Sequence, residues 1–416
     1  MTNPKILAIV LAGGEGSRLR PLTAQRAKPA MPFGGRHRIV DFVLSNLINS
    51  EIKSIYVLAQ YKSNSLIEHV RKNWVIPSFA QNEFISVISP QRQNNLKQFR
   101  GTADAVYQNL RLINEHKPDL VAVFSADHIY RMDVRQLTHF HQQMGADVTI
   151  SALPVPIEEA SAFGILATNR DGRIEQFYEK PVNPTPMPND PANAYASMGN
   201  YLFNADVLIS ALERLHHEGA TDFGHHVLPT IINSQRVFAY NFATNVVPGV
   251  KPYEEAGYWR DLGTIDAYFK AHQDIIGDTP RFALVNPGWP LMPGDIRHPS
   301  VKTLNSQIEN SVCDSGTVIR RAKVTNSILG RGVIIDDGVE LDECVVMDFV
   351  RIRQGARLRR AIIGSHNVVE SYAQIGYNFK TDAKRFPVSE SGVVTIPDGH
   401  LHAFAELPPA TIAALA

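Results

Sequence analysis

From the N-terminus to about Asp278, short unbroken apolar runs alternate with stretches whose apolar residues recur every three or four positions. The first run, residues 6–11, has the length and continuity of a strand buried on both faces of a parallel sheet. Ile39, Val43, Leu44, Leu47 and Ile48 then recur at helical spacing. Residues 55–59 predict a strand that delivers Gln60 and Tyr61 to a loop, and 84–88 predict another. Ala103, Val106, Leu110 and Ile113 predict one helical stripe, and residues 120–124 a strand ending in Ser125-Ala126-Asp127-His128. Asn169-Arg170-Asp171-Gly172 marks a hairpin through Asp-Gly. A strand at 201–203, a helix over 207–215 and an amphipathic helix from Ile265 follow. This alternation predicts an α/β fold with a mixed, mainly parallel sheet over residues 1–278.

Pro280, Pro287, Pro290, Pro293 and Pro299 punctuate a helix-free connector, residues 279–304. Beyond it the apolar period becomes six: Val312, Val318, Val324; Val333, Val339, Val345; then Val350, Ala356, Ile362 and Val368. Hexads in three phases predict a parallel β-helix of short strands and corners, with its tail spanning 305–416, and a β-sandwich does not generate that spacing.

Lys plus Arg equals Asp plus Glu at 41 each, so no global field draws the chain to nucleic acid or to an anionic membrane, and any anion binding is local. No apolar run approaches a membrane span, and two cysteines, Cys313 and Cys344, fit a reducing compartment. A cytoplasmic location is therefore expected. His139 and His141, flanking Phe140, are expected on a helix surface rather than at zinc.

The chemistry concentrates where the first strand ends. Leu11-Ala12-Gly13-Gly14-Glu15-Gly16 lacks the side chains that would keep backbone N–H groups from turning together toward an anion, and Arg18 and Lys28 follow within folding reach. The spacing is neither a P-loop nor G-x-G-x-x-G. Asp127, at the carboxyl end of a buried strand, stands where open α/β sheets place ligands; alone it could cap the following helix, but beside a phosphate cradle a metal ligand is the better account.

The glycine turn, Arg18 and Lys28-Pro29 resemble the sugar-1-phosphate nucleotidyltransferases. The continuation Arg26-Ala27-Lys28-Pro29-Ala30, Phe33-Gly34-Gly35 and Arg38-Ile39-Val40-Asp41-Phe42 resembles their bacterial glucose-1-phosphate adenylyltransferase (ADP-glucose pyrophosphorylase) branch. The likeness runs to about Val394. It implies a GT-A-type, Rossmann-like catalytic domain, a left-handed β-helix, a homotetramer, and the reaction of ATP with glucose 1-phosphate to give ADP-glucose and pyrophosphate. Arg18 and Lys28 would hold the β- and γ-phosphates, and Asp127 with Asp261 of Trp259-Arg260-Asp261-Leu262-Gly263 would hold Mg²⁺. Gln60, Gly101 and Thr102 would contact adenine, and Gly164, Glu179, Lys180 and Ser197 glucose 1-phosphate, with Phe99 beside them. Without that resemblance, Asp261 reads as a cap, Gly101-Thr102 as a helix start and Glu179-Lys180 as a solvated pair.

Arg26 and Arg38 match the family's allosteric AMP contacts, yet Pro32, Glu115 and Ser365 stand where His, Arg and Arg are expected. Gln25 replaces the enterobacterial lysine that serves fructose 1,6-bisphosphate, residues 397–400 replace an arginine-bearing tail, and Phe99 replaces a tyrosine. Weak or different allosteric control follows. A UTP- or dTTP-dependent enzyme and a catalytically silent regulatory subunit are the alternatives. Retention of Arg18, Lys28, Asp127, Lys180 and Asp261 argues against silence.

Overall fold

The computed structural model describes residues 4–75, 83–90, 98–292 and 299–401. Pro293 of the expected connector and the tail from residue 402 lie outside the described residues. The N-terminal domain is built on a nine-stranded mixed sheet. Its middle is parallel, with β1 (Ile6–Ala12) between β2 (Ser54–Ala59) and β4 (Leu120–Ser125), and β3 (Phe84–Ile88) outside β2. Beyond β4 it becomes antiparallel through the long β9 (Asn193–Asn204), which also pairs with β6 (Val148–Pro156) and β7 (Gly164–Thr168). β7 and β8 (Ile174–Glu179) form the Asp-Gly hairpin, and β10 (Val237–Asn241) runs parallel to β6. Outside this sheet, β5 (His128–Tyr130) pairs with β11 (Trp259–Asp261), placing Asp261 opposite His128.

The unbroken apolar run of β1 has a direct cause. Leu7 and Ile9 face one layer while Ala8, Val10 and Ala12 face the other, so the side-chain alternation of a strand sends apolar groups into two cores at once. One layer contains α1 (Ile39–Asn49), α2 (Asn64–Asn73) and α5 (Val134–Gln143). The other contains α3 (Thr102–Tyr107), α4 (Leu110–His116), α6 (Ala205–His217) and α7 (Leu228–Ile231). With both faces covered, the open end of the parallel strands becomes the place for a ligand.

Two local expectations are corrected. The stripe 103–113 is two helices, because the Gln108 amide donates back to Asp104 and the Asn109 amide to the Ala105 carbonyl, and Asn109 leaves helical geometry. His141 is 2% exposed rather than on the surface. Its ring bonds Thr149 on β6 and Asn204 on β9, so α5 is pinned to the sheet, and burial lowers its pKa.

In the C-terminal domain, short parallel strands stack coil on coil: Val318 pairs with Ile334, and Ile334 with Arg351. The repeat is 16 or 17 residues, slightly short of three full hexads. Of the hexad heads, Val324, Val333, Val339, Val345, Val350, Ala356 and Ile362 are buried, whereas Val312, Val318 and Val368 are half-buried. Corner residues Asn305, Asn310 and Asn326 adopt positive φ, which asparagine tolerates. The first strand, Lys302–Leu304, falls inside the stretch expected as connector and pairs with Val318–Arg320.

The two domains share a core. Leu262 and the Tyr268 and Phe269 side chains of α8 (Ile265–Gln273) lie in one cluster with Ile328, Val345, Met347 and Ile362 of the β-helix. Arg38 reaches Asp348 at 2.8 Å across the same junction, and Arg26 pairs with Asp398.

Candidate active site

The carboxyl ends of β1, β2 and β4 open into a cleft of about 520 Å³. Its floor is the glycine turn: Leu11, Ala12, Gly13, Gly14 and Gly16 all line it. Gly16 adopts φ +64, and its backbone packs against Lys28 and Thr23, so the turn and the following loop are one unit. The Thr23 hydroxyl donates to the Gly16 carbonyl at 2.8 Å. Lys28 starts a single 3₁₀ turn, Lys28–Ala30, that brings it back over the strand end.

Its ammonium lies 2.9 Å from Asp127 Oδ2 and 3.0 Å from Asp261 Oδ1. Burial opposes the lysine charge, but the two carboxylates outweigh it and hold the Lys28 pKa above the ordinary value. Burial likewise opposes ionisation of Asp127. His128, Lys28 and the Ser125 hydroxyl reverse that and keep its carboxyl well below the usual range. Ser125, whose hydroxyl bonds Asp127, is itself held by Asn200, which is fully buried. Its Oδ1 accepts from the Ser125 N–H at 3.3 Å and its Nδ2 donates to the Tyr130 hydroxyl at 3.1 Å. This brace was not expected, although a polar residue directly before the apolar run Tyr201-Leu202-Phe203 is the signal that could have found it.

Oxygens of Asp127 and Asp261 and a ring nitrogen of His128 lie within 4.8 Å of one another. Two carboxylates converging on a cation are a donor set that fits Mg²⁺, which needs few protein oxygens because it retains water. Gly263 lines the cleft, and a Cβ there would stand 3.1 Å from Asp261 Oδ2 and 3.2 Å from Arg18 Nη2. Arg18, exposed in the cleft, therefore shares the neighbourhood of the same carboxylate.

The opposite wall holds Gln60, Phe99, Gly101 and Thr102. The Gln60 amide is engaged on both sides, accepting from the Phe99 N–H and donating to the Phe99 carbonyl. Its contribution to the wall is thus to tie the end of β2 to the loop before α3. Gly101 packs so tightly on Thr221 that a Cβ would collide with the Thr221 carbonyl. The Thr102 hydroxyl donates to Asp222 at 2.8 Å and accepts from the Phe223 N–H at 3.0 Å.

Of the residues expected around the sugar phosphate, Phe99 and Glu179 line the cleft. Lys180, at φ +49, is half exposed and does not line it, but its ammonium is 3.3 Å from Glu179 Oε1. Gly164 lies behind Glu179 and Phe177, where a Cβ would clash. Ser197 accepts from the Gly199 N–H at 3.3 Å. Tyr201, Asp222 and Gly224 complete this end, and no role was expected for them from the sequence.

Arg26 and Arg38 are elsewhere, in a second cavity of about 650 Å³ between α2 and the β-helix, each against a carboxylate. Ser365 meets Arg26 at 3.4 Å.

A nucleotidyl transferase family model matches residues 7–277, and one for the GlmU-like C-terminal hexapeptide matches residues 298–396. The chain is 50% identical over 395 residues to the glucose-1-phosphate adenylyltransferase of Thermodesulfovibrio yellowstonii, covering 95% of this chain and 96% of that protein. It is 44% identical to the protein of the same name from Anaeromyxobacter sp. strain Fw109-5, covering 94% and 98%. For the one from Photobacterium profundum the identity is 41%, covering 95% and 98%.

Proposed function

This chain belongs to the glucose-1-phosphate adenylyltransferase family of nucleotidyl transferases, and from that premise we propose that it transfers the adenylyl group of ATP to α-D-glucose 1-phosphate. ADP-glucose and pyrophosphate are the products, and the reaction commits glucose to bacterial glycogen. The observation that carries this reading is the Lys28 ammonium held between Asp127 and Asp261 beneath a glycine turn, inside one cleft.

A phosphate oxygen of the sugar phosphate attacks the α-phosphorus, and the bond to the pyrophosphate oxygen breaks in line. The attacking group is already ionised, so no general base and no covalent enzyme intermediate are needed. Backbone N–H groups at Gly13 and Gly14 receive the triphosphate. Arg18 and Lys28 bind its β- and γ-phosphates and hold more tightly as charge builds on departing pyrophosphate. Gln60, Gly101 and Thr102 wall the adenine. Glu179 accepts from glucose hydroxyls, Lys180 swings in from beside Glu179 at the cleft edge to meet the sugar phosphate as a compact charge, and Gly164, Ser197 and Phe99 shape that subsite.

A divalent metal is general in such transferases, and Mg²⁺ held by Asp127 and Asp261 is the ion that suits these oxygens. When bound, it neutralises phosphate charge so that two polyanions tolerate each other. Arg26 and Arg38 belong to a separate regulatory cavity. We place the enzyme in the cytoplasm as a homotetramer; no helix among the described residues is long and apolar enough to cross a membrane.

Incubating the protein with Mg²⁺, glucose 1-phosphate and each nucleoside triphosphate in turn, and measuring pyrophosphate release, tests the assignment. ATP is expected to be preferred. Preference for UTP or dTTP, or no release with any of them, would overturn it.

A further inference from the structure

Both carboxylates expected to bind metal are already occupied by a cation of the chain itself. Lys28 Nζ bonds Asp127 Oδ2 at 2.9 Å and Asp261 Oδ1 at 3.0 Å, with only 9% of its side chain exposed. We propose that Lys28 is the resident counter-ion of the metal site. It excludes free divalent ions from the substrate-free enzyme, then moves onto the triphosphate when nucleotide arrives, so that metal enters together with nucleotide.

Three features support this exchange. First, an ammonium in contact with both acids and a divalent ion on the same acids would be like charges a few bond lengths apart, in a partly desolvated cleft that screens them poorly. One leaves when the other arrives. Second, the lysine has somewhere to go. The glycine turn lines the same cleft, and the backbone of Gly16 packs against the stem of Lys28, so an anion received there lies within reach of the same ammonium. Third, the exchange asks for side-chain motion alone. The Lys28–Ala30 turn carries Pro29, and Lys28, Pro29 and Ala30 are buried, so the backbone stays in place. The proposal rests on the transferase reading for the identity of the nucleotide. The prediction for the substrate-free protein does not.

The test uses Mn²⁺ as the probe, titrated into the full chain without nucleotide and followed by the electron paramagnetic resonance of the free ion. Wild type is expected to bind weakly. Lys28→Met, which keeps the stem and removes the charge, is expected to bind one Mn²⁺ at least about tenfold more tightly. Adding Asp261→Asn to that variant is expected to abolish the gain. Equal affinity in wild type and Lys28→Met, or a gain that survives Asp261→Asn, would overturn the proposal.

Because Lys28→Met leaves two carboxylates uncompensated, thermal melts of that variant and of Lys28→Gln are run in parallel. Mn²⁺ is expected to raise the melting temperature of whichever variant folds and to leave wild type unchanged. An equal rise in wild type counts against the exchange. Pyrophosphate release by wild type with ATP and glucose 1-phosphate reports separately on the transferase assignment, since the Mn²⁺ titration involves neither substrate.

Discussion

The ammonium of Lys28 lies 3.0 Å from the carboxylate of Asp261, a residue 233 positions further along the chain. The turn after the first strand and the last strand of the N-terminal domain thus close on one point. Asp261→Asn keeps the shape of that point and removes its charge. We expect kcat to fall by about 10²–10³, with a smaller change in KM for ATP, because the lost interaction strengthens toward the transition state. Steady-state pyrophosphate release measures it.

Gly101 is needed for space rather than for backbone freedom, since its φ of 173 is ordinary extended chain. Gly101→Ala pushes the loop before α3 away from Thr221, and with it the wall formed by Gln60, Phe99 and Thr102. The expected loss is about 10²-fold in kcat/KM for ATP, the size of effect that a displacement of roughly 1 Å produces. Because Phe99 belongs to the same wall, the KM for glucose 1-phosphate should rise as well.

His272 links stability to pH. It is fully buried; its Nδ1 donates to the Tyr268 carbonyl and its Nε2 accepts from the Gly34 N–H, so a second ring proton has no acceptor. Burial lowers its pKa from 6.5 to about 4. Between those values the unfolded chain binds the proton and the folded chain does not. Stability from this group is therefore complete above about pH 6.5 and is lost as pH falls toward 4, on the order of 3 kcal/mol in all. Urea midpoints across that range should show the slope in wild type and a flatter one in His272→Gln.

Asp348 is nearly inaccessible and binds Arg38 at 2.8 Å and Arg331 at 2.7 Å. The arginines hold its carboxyl well below the usual range despite burial. Asp348→Ala leaves two guanidinium groups facing each other beside the second cavity, so a loss of about 2–3 kcal/mol is expected in denaturant unfolding, below the full buried-pair value because the cavity admits water.

Effector response should be muted. Arg26 and Arg38 are engaged with Asp398 and Asp348, so an incoming phosphate competes with carboxylates already in place. Fructose 1,6-bisphosphate is expected to be a poor activator and AMP a poor inhibitor. Strong activation of purified enzyme by the bisphosphate would contradict this.

What was legible in the sequence was whatever local period or motif encodes. The buried strand before the glycine turn, Asp127 at a strand end, the six-residue repeat and the family motif around Lys28 all depend on neighbours within a few residues. Tertiary partners were not legible. Nothing near His141 announces Thr149 and Asn204, and nothing near Gln60 announces that its amide is spent on Phe99. Nothing near Asn200 announces that it holds the Ser125 N–H and the Tyr130 hydroxyl on either side of Asp127. The break between α3 and α4 depends on side chains reaching back to backbone and carboxylate, an option that apolar spacing does not register.

The cluster that joins α8 to the coils has a consequence for the chain as a polymer. Tyr268, Phe269 and Leu262 owe part of their dry surroundings to Val345, Met347 and Ile362, which close the cluster from the side of the coils. Amputating the hexad region would leave an oily scar on the transferase half, and a lone half would stick to its own copies. The coils therefore act as a lid on the catalytic half's own hydrophobic interior, whatever else they do for assembly or control.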